Sequence, residues 1–130
     1  MVRQDSEAAK RFVERKLKVA ICDPYIGLLV ERDGKQVGAV ILNDYTPGRN
    51  IEITVLSEGV WSLADVRNIA RYCFARVRRI TARTSVHNAR AIKMLTTLGF
   101  QQEGILRAWF DDADAVVLGL LRSEQTIYRS

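Results

Sequence analysis

Two helix starts and one alternating strand carry most of the side chains in this 130-residue chain that are placed to do chemistry. The run Asn88-Ala-Arg-Ala-Ile-Lys-Met-Leu-Thr-Thr-Leu-Gly-Phe100 opens on Asn88, whose side-chain oxygen can accept a backbone N–H that a helix start leaves orphaned. Arg90 lies in the first turn and His87 just before the cap. A second start lies in Ser57-Glu58-Gly59-Val60-Trp61-Ser62-Leu63, with Ser62 and Asp65 at capping-box spacing, Asp standing where Glu or Gln is usual. Exposed N–H groups at such a start suit an anion, and a glycine lets the backbone approach it closely. In Ile51-Glu52-Ile53-Thr54-Val55 apolar and polar residues alternate, so a strand here points Glu52 away from Ile51 and Ile53. Cys22 and Cys73 lie in apolar surroundings without metal or redox spacing, which reads as buried reduced thiols. A single histidine leaves no basis for a structural zinc site.

The elements that must position these residues follow from periodicity. Ala9, Phe12, Val13 and Leu17 predict an amphipathic helix over 6–19. Residues 26–32 and 35–42 read as strands joined by a two-residue turn at Asp33-Gly34. Residues 43–50, with Asp, Pro and Gly, read as a loop, and 51–56 as a half-buried strand. Leu63, Val66, Ile69, Ala70, Cys73 and Phe74 form one stripe of a helix over 62–76. A strand over 79–85 comes next, then a helix in which Ala91, Ile92, Leu95 and Leu98 share a face and Gly99 closes the last turn. Strands over 101–110 and 115–121 form a second hairpin. The strand–helix–strand unit over 51–85 implies a right-handed crossover between parallel neighbours, within an α/β fold whose mixed sheet is flanked by helices.

Length is that of one domain. With 48% hydrophobic and 27% charged residues the composition is that of a soluble globular protein with a real core. No apolar run approaches the ~18 residues of a membrane span, and the polar start lacks a signal-peptide core. A cytoplasmic protein with no membrane partner is expected. The net charge of +5 gathers at Arg67, Arg71, Arg76, Arg78, Arg79 and Arg83. A solvated helix face and cations at a helix C-terminus account for it, and attraction of an anionic partner is the functional counterpart.

The segment from Asn88 to Phe100, followed by Glu103-Gly104 and Arg107, resembles the N-x-x-A…L-G-F…E-G…R signature of GNAT-superfamily acetyltransferases, in the RimJ/RimL branch. The element order resembles that family from Ser6 onward, with its first strand shortened or absent. A Trp-Ser entry to the second helix resembles a phage- and proteobacteria-associated subgroup. The resemblance implies acetyl-CoA as co-substrate, no metal, and transfer of an acetyl group to a primary amine, with a protein N-terminus or lysine as acceptor. It implies that strands 51–56 and 79–85 diverge near Leu56 and that the pantetheine arm fills the gap. Val55 and Ser57 would then meet the cofactor through their backbone. Gly59, Trp61, Ser62 and Leu63 would lie by its pyrophosphate, Asn88 would hydrogen-bond the pantetheine, and Arg90 would face either the phosphates or water.

Amine attack on a thioester needs a base, a polarised carbonyl and an acid. Glu52 is the candidate base, and Tyr45 a candidate for the acceptor side. The sequence departs from the family at two places. The pattern Gln/Arg-x-x-Gly-x-Gly/Ala falls on Ser57, Val60 and Ser62, and the family's tyrosine acid falls on Leu95. The alternative is therefore an inactive GNAT-fold interaction or virion-associated module. Nucleic-acid binding ranks last, because no recognition motif supports it. Oligomeric state stays open, a homodimer included.

Overall fold

The computed structural model describes residues 1–17, 21, 24–59 and 61–129. Cys22, Val60 and the end of the helix expected to reach Val19 lie outside them. The element order is β1 (Val2–Gln4), α1 (Ser6–Leu17), β2 (Ile26–Arg32), β3 (Lys35–Thr46), β4 (Gly48–Ser57), α2 (Leu63–Phe74), β5 (Val77–Ser85), α3 (Ala89–Thr97), β6 (Gln101–Leu106) and β7 (Ala115–Leu121). The seven strands form one sheet in the order β1-β2-β3-β4-β5-β7-β6. Only β4 and β5 run parallel, joined through α2; the other neighbours are antiparallel.

Alternation along the strands sorts side chains to two faces. Leu29, Ala39 and Ile41 pack under Ala8, Ala9, Phe12 and Val13 of α1. On the other face Val40, Ile51, Ile53, Ile80, Ala82 and Leu118 meet Ile69, Cys73 and Phe74 of α2 and Leu95 of α3. Phe74 is the largest of the fully buried side chains; truncating such a ring to alanine costs roughly 3–5 kcal/mol.

The first strand, expected to be shortened or absent, is the short β1 of three residues, paired to Leu28–Val30. Other expectations shift. Residues 43–50 are not a loop: β3 runs on to Thr46 and β4 begins at Gly48, so Pro47 alone lies between them. The turn-forming residues there serve a strand irregularity and a sharp reversal, which local composition does not distinguish from a loop. The strand after α3 stops at Leu106 instead of Phe110, because Ala108 turns to φ 53° and its N–H donates to Asp114 Oδ1 at 2.7 Å. Among the described residues no helix is long and apolar enough to cross a membrane.

Candidate active site

The parallel pair opens as the resemblance implies, but earlier. Pairing runs from Gly48↔Val77 to Ile53↔Ala82 and then ends, three residues before Leu56. Beyond Ile53, β4 stays paired to β3 and β5 to β7, so the sheet parts between them. The β5-facing backbone of Thr54–Ser57 has lost its strand partner, which is the arrangement an extended ligand can complete.

On the α2 and α3 side of this opening lies an apolar groove of about 470 Å³. Val55, Ser57 and Trp61 line it, together with Ile69, Cys73 and Leu95. Burial pushes the Cys73 thiol up to about 12, so it serves as an inert apolar wall. From α3 come Arg90 and also Lys93, which the sequence reading passed over. Their three-residue spacing puts both on one helix face and was the available signal.

Ser62 caps α2 in a full capping box: its hydroxyl accepts the Asp65 N–H at 3.1 Å, and its own N–H donates to Asp65 Oδ2 at 3.1 Å. The N–H groups of Leu63 and Ala64 have no partner among the described residues, so an anion can meet them there. Gly59 does not line the groove. Its carbonyl accepts the Ser57 hydroxyl at 3.1 Å, and a side chain at Gly59 would press on Val37. A substitution there therefore disturbs strand packing as well as any ligand.

Asn88 Oδ1 accepts the Ala91 N–H at 3.1 Å, the cap expected from the sequence. That bond occupies the oxygen, and the exposed amide NH2 has no partner among the described residues. Gly99 sits at φ 104°, where a side chain would strain the chain, and the Phe100 N–H returns to Leu95 O at 3.0 Å. Leu95, where the resemblance would place a tyrosine acid, is buried and has no proton to give. His87 is exposed, and its N–H donates to Ser85 Oγ.

Glu52 projects from β4 to the opposite face, one residue before the strands part. It is buried at 8% exposure. Arg83 Nε stands 2.9 Å from Glu52 Oε1, yet no N–H is directed well enough at that oxygen to hydrogen-bond it. Burial, together with contact from the Asp44 carboxyl, pushes Glu52 up to about 7 against the pull of Arg83. Directly opposite in register stands Asn43, whose Oδ1 is likewise buried without a donor.

Asp44 reaches Glu52 through an irregularity no periodicity reveals. Asn43 pairs with Glu52 and Thr46 with Asn50, so β3 holds one extra residue, and Asp44 takes φ 47°. A hydrogen-bonded chain fixes it from behind. Arg79, held by Glu103, donates to Thr81 Oγ1 at 2.9 Å, Thr81 to Asn50 Oδ1 at 2.6 Å, and Asn50 Nδ2 to Asp44 O at 3.3 Å. Tyr45 is half exposed on this strand rather than in a loop. Arg83 stacks on Trp109 at 4.7 Å, so the β6–β7 turn stands beside the carboxylates. Asp44, Arg83 and Trp109 were not singled out from the sequence as site residues, since only pairing across four strands and a turn assembles them.

No family model matches the chain, and no curated protein matches its sequence. Solved structures do match. A chimera of the spermidine N-acetyltransferase SpeG from Vibrio cholerae with hSSAT superposes with a TM-score of 0.78 at 15% identity, over 95% of this chain and 96% of that one. The dodecameric spermidine N-acetyltransferase from Vibrio cholerae gives 0.75 at 16% identity, over 95% and 94%. Mycobacterium smegmatis RimJ in complex with CoA-disulfide gives 0.69 at 21% identity, over 92% of this chain and 62% of that one. The likeness is one of fold: this chain has the mixed-sheet GNAT architecture of those acetyltransferases.

Proposed function

We propose that the chain is an acetyl-CoA-dependent N-acetyltransferase acting on a primary amine, with a protein N-terminus or a lysine side chain as acceptor. One observation carries this reading. Glu52, buried and ion-paired with Arg83, stands at the point where β4 leaves β5, behind an apolar groove. Asn43 Oδ1, opposite it in register, is a buried acceptor without a donor. A carboxylate beside an unfilled acceptor suits an ammonium group, which supplies several N–H bonds.

When bound, acetyl-CoA supplies an acetyl group activated as a thioester. The groove residues fit it: the partnerless backbone of Val55 and Ser57 suits the pantetheine amides, and the Asn88 NH2 a carbonyl nearby. The Leu63 and Ala64 N–H groups and the Arg90 and Lys93 side chains suit the phosphates. Trp61 and Leu95 exclude water from the apolar wall. Glu52, raised to about 7, is poised to take a proton from the acceptor ammonium near neutral pH. Arg83 and Asp44 set its proton affinity from either side. Leu95 offers no proton to the departing sulfur, so solvent provides it and turnover is slow.

The RimJ/RimL branch and the phage or proteobacterial subgroup belong to this proposal and rest on the Asn88–Phe100 signature and the Trp61–Ser62 helix entry. So do a single-domain organisation and a cytoplasmic setting, where acetyl-CoA is made and a buried free Cys73 stays reduced. The test is calorimetric titration with acetyl-CoA, then thiol release over peptide N-termini, lysines and small amines, polyamines included. Binding with turnover on an amine supports the proposal. Absence of acetyl-CoA binding overturns it in favour of an inactive GNAT-fold module.

A further inference from the structure

We propose that the far end of the sheet, where β4, β5 and β7 lie side by side, binds a multiply charged phosphate anion of small-molecule size. Arg49, Arg78 and Arg122, with Asn50 and Ser123, line a depression of about 490 Å³ there. Strand pairing puts them together: Asn50 lies opposite Arg79, Arg79 opposite Leu121, and the Arg122 N–H donates to Arg78 O at 2.9 Å. Arg49 and Arg78, each one residue before the Asn50–Arg79 pair on β4 and β5, and Arg122, just past β7, thus fall side by side. The site shares no residue with the apolar groove, and it lies at the start of β4, whereas the groove lies at its end.

What sets these arginines apart is that their charge is unspent. Arg79, in the same depression, is held by Glu103. Arg122 gives one N–H to Phe74 O at 3.1 Å, and Arg76 one to Tyr72 O at 2.8 Å, so the carbonyls ending α2 already have their cations. Arg49 and Arg78 take no part in that cap and have neither an ion pair nor a side-chain hydrogen bond among the described residues. Adjacent guanidinium groups repel one another, and a phosphate oxygen between them turns that repulsion into charge-assisted hydrogen bonds.

A small anion fits this place better than a nucleic-acid backbone, which needs a continuous basic track. The other arginines of the basic stretch are engaged elsewhere: Arg67 with Ile127 O, Arg71 over Tyr128, Arg76 over Tyr72 and Arg83 with Glu52. The positive charge is a concave cluster, not a stripe.

The test is calorimetric titration of the full chain with inorganic tripolyphosphate at low salt, with and without saturating acetyl-CoA. Binding to the parent, undiminished by acetyl-CoA and weakened roughly tenfold or more in both Arg49→Ala and Arg78→Ala, supports the site. Both residues are exposed, so circular dichroism and acetyl-CoA affinity should be unchanged in the variants. Absence of tripolyphosphate binding overturns the proposal. So does binding that acetyl-CoA displaces, or that survives in both variants, because the anion then sits at the start of α2 or elsewhere. Tighter binding of single-stranded RNA than of tripolyphosphate, with a salt slope of several phosphate contacts, also overturns it in favour of nucleic acid.

Discussion

The Cζ2–Nε1 edge of the Trp61 ring abuts Gly38, and its Nε1–H donates to the neighbouring Val37 carbonyl at 3.0 Å. A Cβ on Gly38 would press on Cζ2, Nε1 and Cε2 of that edge, closer than real carbon contacts allow. The indole therefore pins the segment leading into α2 onto β3, where the family's pattern uses glycines.

Gly38→Ala should displace that ring, costing roughly 1–3 kcal/mol through overpacking and loss of the Nε1 bond. It should also weaken acetyl-CoA, because Trp61 lines the groove. Urea unfolding and acetyl-CoA titration read the two effects. An unchanged unfolding midpoint would mean that the ring is not seated on β3.

Glu52→Gln should lower turnover by about 10²–10⁴-fold with little change in acetyl-CoA affinity, since a positioned base typically supplies that much. In the parent, kcat/KM should rise with pH through about 7, as Glu52 loses its proton. Equal turnover in the variant would remove Glu52 as the base.

The same residue links stability to pH. Its folded value, about 7, lies above its ordinary 4.5, so the folded chain keeps a proton that the unfolded chain gives up between those values. The cost of the buried charge is therefore fully present above pH 7 and fades toward pH 4.5. Glu52→Gln should unfold later than the parent at pH 8, with the gap closing near pH 4.5. Thermal melts across this range check it, and a gap that widens on acidification would contradict the assignment.

Asn88 can be split into its two functions. Asn88→Ala should lose about 1 kcal/mol of cap stabilisation and also weaken acetyl-CoA. Asn88→Asp keeps an oxygen for the Ala91 N–H but loses the NH2 donor, so it should fold like the parent and still bind acetyl-CoA less well. Parent-like affinity in the Asp variant would leave Asn88 as a cap alone.

Arg90→Ala and Lys93→Ala should each weaken acetyl-CoA by up to roughly fivefold, the upper end of exposed ion pairs worth ~0.2–1 kcal/mol. Both should flatten the dependence of affinity on salt. If neither changes that slope, the phosphates lie away from α3.

Filling the groove should also stabilise the chain. Ile92 and Met94 of α3 and its C-cap Leu98 are only partly buried, and Leu95 alone of that helix is fully so. A ligand at a hundredfold excess over its Kd adds about 2.7 kcal/mol to the folded state, which a thermal shift on adding acetyl-CoA would record. Absence of any shift at that ratio would indicate that the unfolded chain binds equally well or that the groove is not the site.

The sequence by itself determined whatever depends on near neighbours along the chain. Helix caps at Ser62 and Asn88, the Gly99 stop, the Asp33-Gly34 turn and the alternation around Glu52 are decided within a few residues, so their signals survive in a bare string of letters. The order strand, capped helix, strand likewise fixed the parallel β4–β5 pair, because chain handedness leaves few other ways to connect them. Only the tertiary structure decided where that pair parts, since separation depends on what β3 and β7 hold on either side. It also decided the company of Glu52. Asn43 and Asp44 arrive through a strand irregularity, Arg83 from a parallel neighbour and Trp109 from a distant turn. A carboxylate's proton affinity is set by burial and by charges within a few ångströms, and those are distances in space, not in sequence.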